Sequence, residues 1–307
     1  MNKLDRPSVI WFNGEIVPWN NAVIHVWTEL ATRGANVFEG IRCYKQDDNS
    51  YSLLCVEQHI DRLFNSLKIL RISSPYTRNQ LILGMNALIN ALESHSHVYV
   101  RPTVYVEQGR YGEGFGEVVN GAYIVAFPTP RAKNVSNGVN CCVSSWLRSS
   151  DLSMSPLIKS GAAYQAFKLP IIEALNGGYD EAILLNSNTN VSETTASTIF
   201  IVRKGKVFTP PISAGILESI TRKNIIDLLE YEFNISVVER DIPRTELYLA
   251  DEIFLAGTLA ELTPVLSIDK VPIGNGVGLL SQAIQKSYFD ICEGRKSDCL
   301  KWLTPLK

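Results

Sequence analysis

The sequence predicts an α+β protein of two mixed domains, with an active-site cleft between them. Runs that alternate apolar and polar residues, as strands do, are interspersed with longer stretches whose apolar residues recur at helical spacing. At 307 residues, with 46% hydrophobic and 20% charged residues, the chain is long enough for two ordinary domains with sizeable cores. Two prolines and a polar run at 128–137 form the best linker candidate. We predict domains over 1–128 and 139–307, joined by an interdomain loop over 129–138.

The first domain is predicted to be a small antiparallel sheet with two helices. Asn13-Gly14 lies between two β-prone runs and is the strongest hairpin signal in the chain. Further strands are predicted over 38–44, 51–56, 97–106 and 122–127. One apolar stripe predicts a helix over 57–70, and Thr77-Arg-Asn-Gln80 is a capping box that starts a second helix.

The second, larger domain is predicted to mix strands and helices. Its strands are expected over 139–146, 181–185, 198–202, 206–209, 236–239, 252–255 and 263–267. Its helices are expected over 164–175, 221–233 and 277–288. A turn at Lys204-Gly205 joins two of the strands into a hairpin.

Charge and cysteine usage exclude several classes of function. A net charge of −2 and a pI near 6.1 give no electrostatic footprint for nucleic acid or an anionic membrane. The six cysteines form no C-x-x-C pair and have no companion histidine spacing, so we expect neither a metal site nor a disulfide scaffold. The polar N-terminus lacks the apolar core of a signal peptide. A reduced cytoplasmic protein is the expectation.

The stretch 157–164 contains the first candidate for chemistry. It places Lys159 beside Ser160, Gly161 and Ala162, which are too small to crowd its amine, with Tyr164 close behind. A lysine in such a setting can attack carbonyl groups to form a Schiff base. The alternative is an ordinary solvated lysine in a turn before a helix.

Three stretches offer groups for an anion or a ring nitrogen. The loop before Ile220 and Thr221 leads into a helix, whose first amides attract phosphate, although it is equally typical of a plain helix cap. The turn at Thr258 follows a strand and offers amides and a hydroxyl, or is simply a turn. Glu193 lies in a hydroxyl-rich segment and is either a ring-nitrogen partner or a surface turn acid.

Helical and strand periodicity indicate two more candidate binding sites. Arg62 lies on the polar side of its helix, where it is either a solvated arginine or a fork for phosphate. Tyr99 and Arg101 share one face of a strand by the two-residue period. They can meet a substrate carboxylate, or they are ordinary strand-face residues.

Together, a lysine, an acid and three phosphate donors are the groups that pyridoxal phosphate (PLP) requires. Six motifs occur in the order found in one family: Trp11-Phe-Asn-Gly14, Val37-Phe-Glu-Gly-Ile-Arg42, Lys159-x-Gly161, Gly178-Tyr-Asp-Glu-Ala182, Ile220-Thr-Arg222 and Gly257-Thr-x-Ala-Glu261-x-Thr-Pro264. From about 9 to 288, the chain resembles the branched-chain amino acid aminotransferases of PLP fold type IV.

The resemblance implies cofactor roles by position. Lys159 is the expected Schiff-base lysine and proton carrier, and Glu193 the partner of the pyridine nitrogen. The remaining expected cofactor contacts are Tyr164 at the ring oxygen, Leu217 on the ring face, and Arg62, the Ile220 and Thr221 amides and the Thr258 hydroxyl at the phosphate.

The resemblance also implies a substrate side and a mechanism. Phe38, Tyr99 and Arg101 match substrate-side positions, and the amides of Thr258 and Leu259 match the receptor for the α-carboxylate. The implied reaction is a ping-pong transfer of an amino group between an L-amino acid, with glutamate as donor, and a 2-oxo acid. The implied assembly is a homodimer.

Some positions depart from the family pattern. Arg33 replaces a pocket tyrosine, and Thr129 replaces a tryptophan of the interdomain loop that many bacterial members have. Ala163, Ser219 and the segment after Glu193 also differ. Arg33 either reaches into the pocket toward an anionic substrate group or turns away to pair with Glu29 or Glu39. Arg33 and Thr129 weaken the implication that the substrate is leucine, isoleucine or valine, and our hypothesis is that Arg33 broadens or shifts specificity toward an acidic or polar substrate.

Alternative functions remain open on the same fold. They are a D-amino acid aminotransferase and a 4-amino-4-deoxychorismate lyase, which differ in the substrate face presented to the lysine. A third is a non-catalytic relative, against which the presence of both Lys159 and Glu193 argues.

Overall fold

The computed structural model describes residues 6–92, 94–108 and 118–306. Residues 1–5, which belong to the polar N-terminus considered above, lie outside this description. Strands and helices are interspersed in the chain, so the predicted α+β class is confirmed. Within the described ranges, none of the helices combines the length and apolar character needed to cross a bilayer.

The strands, in chain order, are β1 Val9–Phe12, β2 Glu15–Pro18, β3 Asn36–Phe38, β4 Ile41–Lys45, β5 Tyr51–Leu54, β6 Val98–Gln108, β7 Val119–Pro128, β8 Val139–Leu147, β9 Glu181–Leu185, β10 Val191–Thr194, β11 Thr198–Arg203, β12 Lys206–Thr209, β13 Val237–Glu239, β14 Glu252–Gly257, β15 Glu261–Ile268, β16 Val271–Pro272 and β17 Leu303–Pro305. The α-helices are α1 Glu29–Arg33, α2 Val56–Leu70, α3 Arg78–Asn90, α4 Lys133–Asn137, α5 Gly161–Tyr164, α6 Lys168–Asn176, α7 Ile220–Phe233 and α8 Leu279–Cys292.

The first compact unit consists of the residues up to Pro130, Ile158–Tyr164, and Cys292 onward. Its antiparallel sheet has the order β17-β5-β4-β6-β7-β1-β2, and β3 pairs with β6. The predicted hairpin is present, with Asn13 and Gly14 at φ 46° and 98°. Helices α2 and α3 bury their apolar faces in the core of this unit, which includes Ile60, Leu63 and Met85. The capping box at Thr77 and Gln80 starts α3 as predicted.

The second compact unit consists of Arg131–Leu157 and Gln165–Ile291. Its mixed sheet has the order β10-β9-β8-β15-β14-β11-β12-β13, with β16 beside β15. The β8 strand pairs in parallel with both β9 and β15, whereas β14 pairs antiparallel with β11 on one side and with β15 on the other. Apolar side chains from these strands, such as Ile183, Ile199 and Ile253, form its core.

Three predicted elements differ from the structure. The predicted strand 38–44 is split into β3 and β4 by Glu39 and Gly40. The predicted helix 164–175 is two helices, α5 and α6, separated by a 3₁₀ turn at Gln165–Phe167. The predicted loop 129–138 contains the short helix α4. The two units also differ from the predicted domains, because Ile158–Tyr164 and the C-terminal segment belong to the first unit.

Candidate active site

The backbone around Lys159 is held on both sides within the first unit. The Lys159 amide donates to Oγ of Ser66 on α2 at 3.2 Å. The Lys159 carbonyl accepts from the Phe38 amide at 3.0 Å, and Val37 forms an isolated antiparallel bridge with Ser160. The lysine therefore extends from a fixed backbone beside β3, rather than from a loose turn.

Gly161 shows why this stretch requires small residues. Its amide donates to Oδ1 of Asn36 at 3.1 Å. A Cβ at Gly161 would lie 2.6 Å from Nδ2 of Asn36, closer than real Cβ contacts allow. The absence of a side chain at Gly161 lets β3 and the Lys159 backbone approach each other.

The Lys159 side chain lies in a cluster of aromatic and cationic groups. Its Nζ donates to Oη of Tyr164 at 2.6 Å and lies 5.2 Å from the centroid of the Phe38 ring. Phe38 packs edge-on against Tyr164 at 5.0 Å, and the Arg101 guanidinium lies 3.6 Å from the Phe38 centroid. The structure thus brings together four of the residues singled out from the sequence.

Tyr99 lies on β6, two residues before Arg101 of this cluster. Removal of the phenol from solvent raises the pKa of Tyr99 to about 12, although the positive charge of Arg101 acts in the opposite direction. Tyr99 therefore keeps its proton at neutral pH and can donate a hydrogen bond. Gly40 makes room for it, since a Cβ there would lie 2.5 Å from the Tyr99 hydroxyl oxygen.

Arg62 is not the solvated surface arginine that its helix face suggested. It is 9% exposed, and its Nε and Nη2 donate to the two carboxylate oxygens of Glu39, each at 2.7 Å. His59 Nδ1 lies 2.7 Å from Oε2 of the same carboxylate. Burial alone would raise the pKa of Glu39, but the charge and hydrogen bonds of Arg62, with the hydrogen bond from His59, hold it well below its usual range.

These groups lie along one line of α2. His59, Arg62 and Ser66 follow each other at helical spacing and are all buried. Ser66 binds the backbone of Lys159, and Arg62 binds Glu39, the residue after Phe38. This polar line is adjacent to the apolar stripe of the helix and faces the lysine segment and the end of β3.

Glu193 lies in the second unit and is not a surface turn acid. It is on β10 and 5% exposed. Its Oε1 accepts from Nε of Arg148 at 2.8 Å, and its Oε2 accepts from the Leu217 amide at 3.2 Å. The guanidinium of Arg148 lies 4.9 Å from the Phe167 ring. The carboxylate is therefore fixed in direction by an ion pair and a backbone donor.

Helix α7 begins at the predicted position for an anion site. Ser219 is its N-cap, and the Ser219 side chain accepts from the Arg222 amide at 3.2 Å. The amides of Ile220 and Thr221 fall in the first turn, where a helix supplies no carbonyl partners of its own. Thr221 itself is buried. The 14-residue helix directs the positive end of its dipole toward this turn.

Thr258 and Leu259 form the turn between β14 and β15 in the second unit. Thr258 is half-buried and Leu259 is exposed. Gly257 precedes them in a tight setting, because a Cβ there would lie 2.9 Å from Oγ of Ser197. The turn ends at Glu261, whose carboxylate pairs with Arg131 at 2.8 Å.

Arg33 and Thr129, the two departures that bear on the substrate, have different settings. Arg33 is exposed at the end of α1, where its Nη1 lies 3.4 Å from Oγ1 of Thr32. Glu39, one of its two suggested partners, instead binds Arg62 and His59. Thr129 follows β7; its carbonyl accepts from Nη1 of the buried Arg42 at 2.6 Å, and its hydroxyl donates to the Phe127 carbonyl.

The donor set matches PLP group by group. A dianionic phosphate is suited by a buried guanidinium, Arg62, and by helix N-terminal amides. A protonated pyridine nitrogen is suited by a carboxylate already fixed by other donors, as Glu193 is. An aldehyde is suited by the primary amine of Lys159, and the ring oxygen by the Tyr164 phenol. The chemistry of these residues therefore fits the cofactor.

Three residues of this arrangement were missed in the sequence: Glu39, His59 and Arg148. A signal existed for His59, since it shares a face of α2 with Arg62. Glu39 lies inside the Val37–Arg42 motif but offered no separate indication of its partner. Arg148 is distant in sequence from Glu193 and had no local signal.

Comparison with known proteins gives a consistent result over nearly the whole chain. The family model for Amino-transferase class IV matches residues 36–268. A probable branched-chain-amino-acid aminotransferase of Aquifex aeolicus is 37% identical over 298 residues, covering 96% of each chain. The crystal structure of the Escherichia coli branched-chain amino acid aminotransferase has a TM-score of 0.94 and 33% identity, covering 98% of this chain and 100% of that one. The PLP form of the Thermobaculum terrenum enzyme has a TM-score of 0.92 and 34% identity, covering 99% of both chains.

Proposed function

Because this chain belongs to the class IV aminotransferases, we propose that it transfers an amino group between a branched-chain L-amino acid and a 2-oxo acid, with PLP as cofactor and glutamate as donor. The observation that carries the proposal is the amine of Lys159, held 2.6 Å from the Tyr164 hydroxyl on a fixed backbone. The names of the relatives support the branched-chain substrate class.

When bound, PLP supplies an aldehyde for an amine to join and a ring that withdraws electrons from the substrate α-carbon. Lys159 provides the amine and moves the proton at the α-carbon, so one residue serves as nucleophile and as general acid and base. The Tyr164 hydroxyl, which already accepts a hydrogen bond from that amine, orients the amine and donates to the ring oxygen of the cofactor. Glu193 accepts from the pyridine nitrogen, with Arg148 and the Leu217 amide fixing its direction.

The phosphate is assigned to Arg62, Ile220, Thr221 and Thr258, as the family resemblance implies. Arg62 provides a charged fork, the first amides of α7 at Ile220 and Thr221 provide a helix N-terminus, and Thr258 provides a hydroxyl. Leu217, which follows the last turn before α7, is assigned to the ring face.

The substrate side is assigned to an apolar surface bordered by donors. Phe38 offers the apolar contact for a branched side chain, and Tyr99 and Arg101 offer a phenol and a guanidinium for a carboxylate. The amides of Thr258 and Leu259 are assigned to the α-carboxylate. Arg33 and Thr129 stay candidates for shifting specificity, which the ratio of glutamate to leucine turnover in Arg33→Ala measures.

The proposal includes a homodimer in the cytoplasm. The six cysteines are all free thiols in the structure, five of them buried, in keeping with a reducing compartment. Sedimentation of the purified protein measures the oligomeric state, and cell fractionation measures the location.

The test compares the native enzyme with Lys159→Ala. The substrates are leucine and 2-oxoglutarate, and glutamate is the measured product. We expect turnover in Lys159→Ala to fall by a factor of about 10²–10⁴ or more, because a positioned general acid–base group typically contributes a rate enhancement of that size. Borohydride reduction of the PLP-loaded enzyme is expected to add the cofactor mass to the Lys159 peptide alone.

Lys168→Ala, at an exposed lysine on α6, is the matched control and is expected to keep activity and labelling. Undiminished turnover in Lys159→Ala, or cofactor mass on another lysine, contradicts the proposal. Turnover of D-leucine in place of L-leucine indicates the D-amino acid enzyme, and pyruvate release from 4-amino-4-deoxychorismate indicates the lyase.

A further inference from the structure

The Arg62 guanidinium binds the buried Glu39 carboxylate, which in turn accepts a hydrogen bond from His59. We infer that Glu39 and His59 are positioning residues that fix the orientation of Arg62 and thereby set the affinity for the cofactor phosphate. This inference rests on the proposed function, in which Arg62 contacts that phosphate. Neither residue is assigned a contact with the cofactor or the substrate.

The fork geometry determines the direction of the arginine. Nε and Nη2 of Arg62 each donate to one oxygen of Glu39 at 2.7 Å, a bidentate pairing that fixes the plane of a guanidinium. With those two nitrogens committed, the direction of Nη1 is also determined. A phosphate donor is most effective when it is already oriented before the ligand arrives.

Glu39 is in turn fixed by surrounding donors. His59 Nδ1 lies 2.7 Å from Oε2 of Glu39, and the Gly40 amide donates to the same oxygen at 3.4 Å. A carboxylate only accepts, so Nδ1 of His59 carries the proton in this contact. Burial lowers the pKa of His59 and outweighs the opposing effect of Glu39, so the imidazole is neutral at neutral pH. His59 therefore orients Glu39 without adding a charge.

The position of the ion pair favours this role over a purely structural one. A buried ion pair stabilises a fold weakly, and apolar residues of similar size often serve as well. This pair occurs at the end of β3, immediately after Phe38, whose amide binds the Lys159 carbonyl. The charges of Glu39, Arg62 and Lys159 act on the pKa of His59, and all three residues are candidate site residues or their partners.

The test measures the dissociation constants of PLP and of pyridoxal, which lacks the phosphate, for the apoenzyme. In Glu39→Gln one accepting oxygen becomes an amide group, so Arg62 loses half of its fork. We expect PLP to bind about tenfold more weakly or worse, as for loss of a charged hydrogen bond, while pyridoxal binding is unchanged. His59→Leu is expected to weaken PLP in the same selective way. His59→Asn, which keeps an N–H near the position of Nδ1, is expected to keep the native affinity for PLP.

Asp61→Asn is the matched control, because Asp61 lies on the same helix in an exposed pair with Arg78. It is expected to leave both constants unchanged. If the native protein does not prefer PLP over pyridoxal, the proposed function fails. If the native protein prefers PLP and the Glu39 and His59 variants keep that preference, or weaken both ligands equally, the positioning role is overturned. Should Glu39→Gln not fold, the comparison of His59→Leu with His59→Asn decides.

Discussion

The charged residues of this protein differ greatly in how much the loss of an ion-pair partner is expected to change stability. Arg148 and Glu193 are 7% and 5% exposed and face each other at 2.8 Å. Arg78 and Asp61 also pair, but both are exposed to solvent. Because solvent screens the second pair and not the first, we expect their removal to have very different effects on stability.

Arg148→Leu removes the cation from the buried pair. The Glu193 charge then stays in a low-dielectric setting without that cation, and we expect the free energy of unfolding to fall by about 3–5 kcal/mol. Urea denaturation of the apoenzyme measures this change. Arg78→Leu is the matched control at the exposed pair, with an expected loss of about 0–1 kcal/mol. Equal losses in the two variants contradict the role given to burial.

Residue-level prediction from the sequence depends on whether a partner is local. Lys159 and Tyr164 lie within one short stretch, and their contact at 2.6 Å joins residues that the sequence had already grouped. The partners of Arg62 and Glu193 were not evident, because Glu39 and Arg148 reach them through tertiary packing. Helical periodicity even gave the wrong exposure for Arg62, since a polar stripe on a helix does not distinguish solvent from a buried carboxylate.

At the scale of elements, the break between β3 and β4 is the feature that shapes the first unit's part of the site. The run 38–44 alternates like one strand, and both of its parts pair with β6 in the same antiparallel register, Phe38 with Thr103 and Ile41 with Val100. The two residues left between them, Glu39 and Gly40, direct a carboxylate toward α2 and make room for Tyr99.

Gly40→Ala tests the second effect. Its Cβ would lie 2.5 Å from the hydroxyl oxygen of Tyr99 and 2.9 Å from the Tyr99 ring, so the ring has to move. We expect KM for the amino acid to rise by about tenfold, the scale of one misplaced hydrogen bond. Steady-state kinetics measure it.

Tyr99→Phe is the control, because it removes the hydroxyl without adding the methyl group. We expect the loss of substrate-binding free energy in the double variant, Gly40→Ala with Tyr99→Phe, to be no larger than about the sum of the losses in the two single variants. An unchanged KM in Gly40→Ala would show that Tyr99 has no part in binding substrate.

Element boundaries were predictable where local signals end a segment and not elsewhere. The Asn13-Gly14 turn and the Thr77 capping box mark their elements by backbone chemistry alone. The separation of α5 from α6 was missed because the apolar pattern continues across it, although Pro170, in the first turn of α6, is a local signal for a helix start. Lys168–Asn176 belongs to the second unit, while Gly161–Tyr164 belongs to the first.

At the scale of the whole molecule, the buried Glu39 and His59 link folding to pH. Both pKa values are lowered on folding, from unfolded values near 4.5 and 6.5. Below pH 6.5 the unfolded chain takes up a proton at His59 that the folded protein does not, and below pH 4.5 the same holds for Glu39. Stability therefore falls as the pH falls, at up to about 1.4 kcal/mol per pH unit for each group.

Urea denaturation between neutral pH and pH 4 measures this dependence. We expect His59→Asn to reduce the slope below pH 6.5, because asparagine takes up no proton in either state. His95→Asn, at an exposed histidine, is the matched control and is expected to keep the native slope. An unchanged slope in His59→Asn would contradict the buried, neutral state of this histidine.

The sequence predicted the α+β class but not the division of the chain between the two units. Alternation and helical spacing are local, and they report the type of an element. The assignment of Ile158–Tyr164 and of Cys292 onward to the first unit depends on pairings such as β17 with β5, which join residues far apart in the chain. No local pattern contains that information.

The pairing of β17 with β5 has a consequence for biosynthesis. Leu54 pairs with Leu303, and the Cys55 amide donates to the Trp302 carbonyl. A ribosome makes the N-terminal residue of each pair first, so the edge of β5 emerges long before the strand that covers it. Throughout that interval the nascent chain presents an uncovered sheet edge. Completion of the first unit therefore waits for translation to reach β17, while all segments of the second unit have already been synthesised.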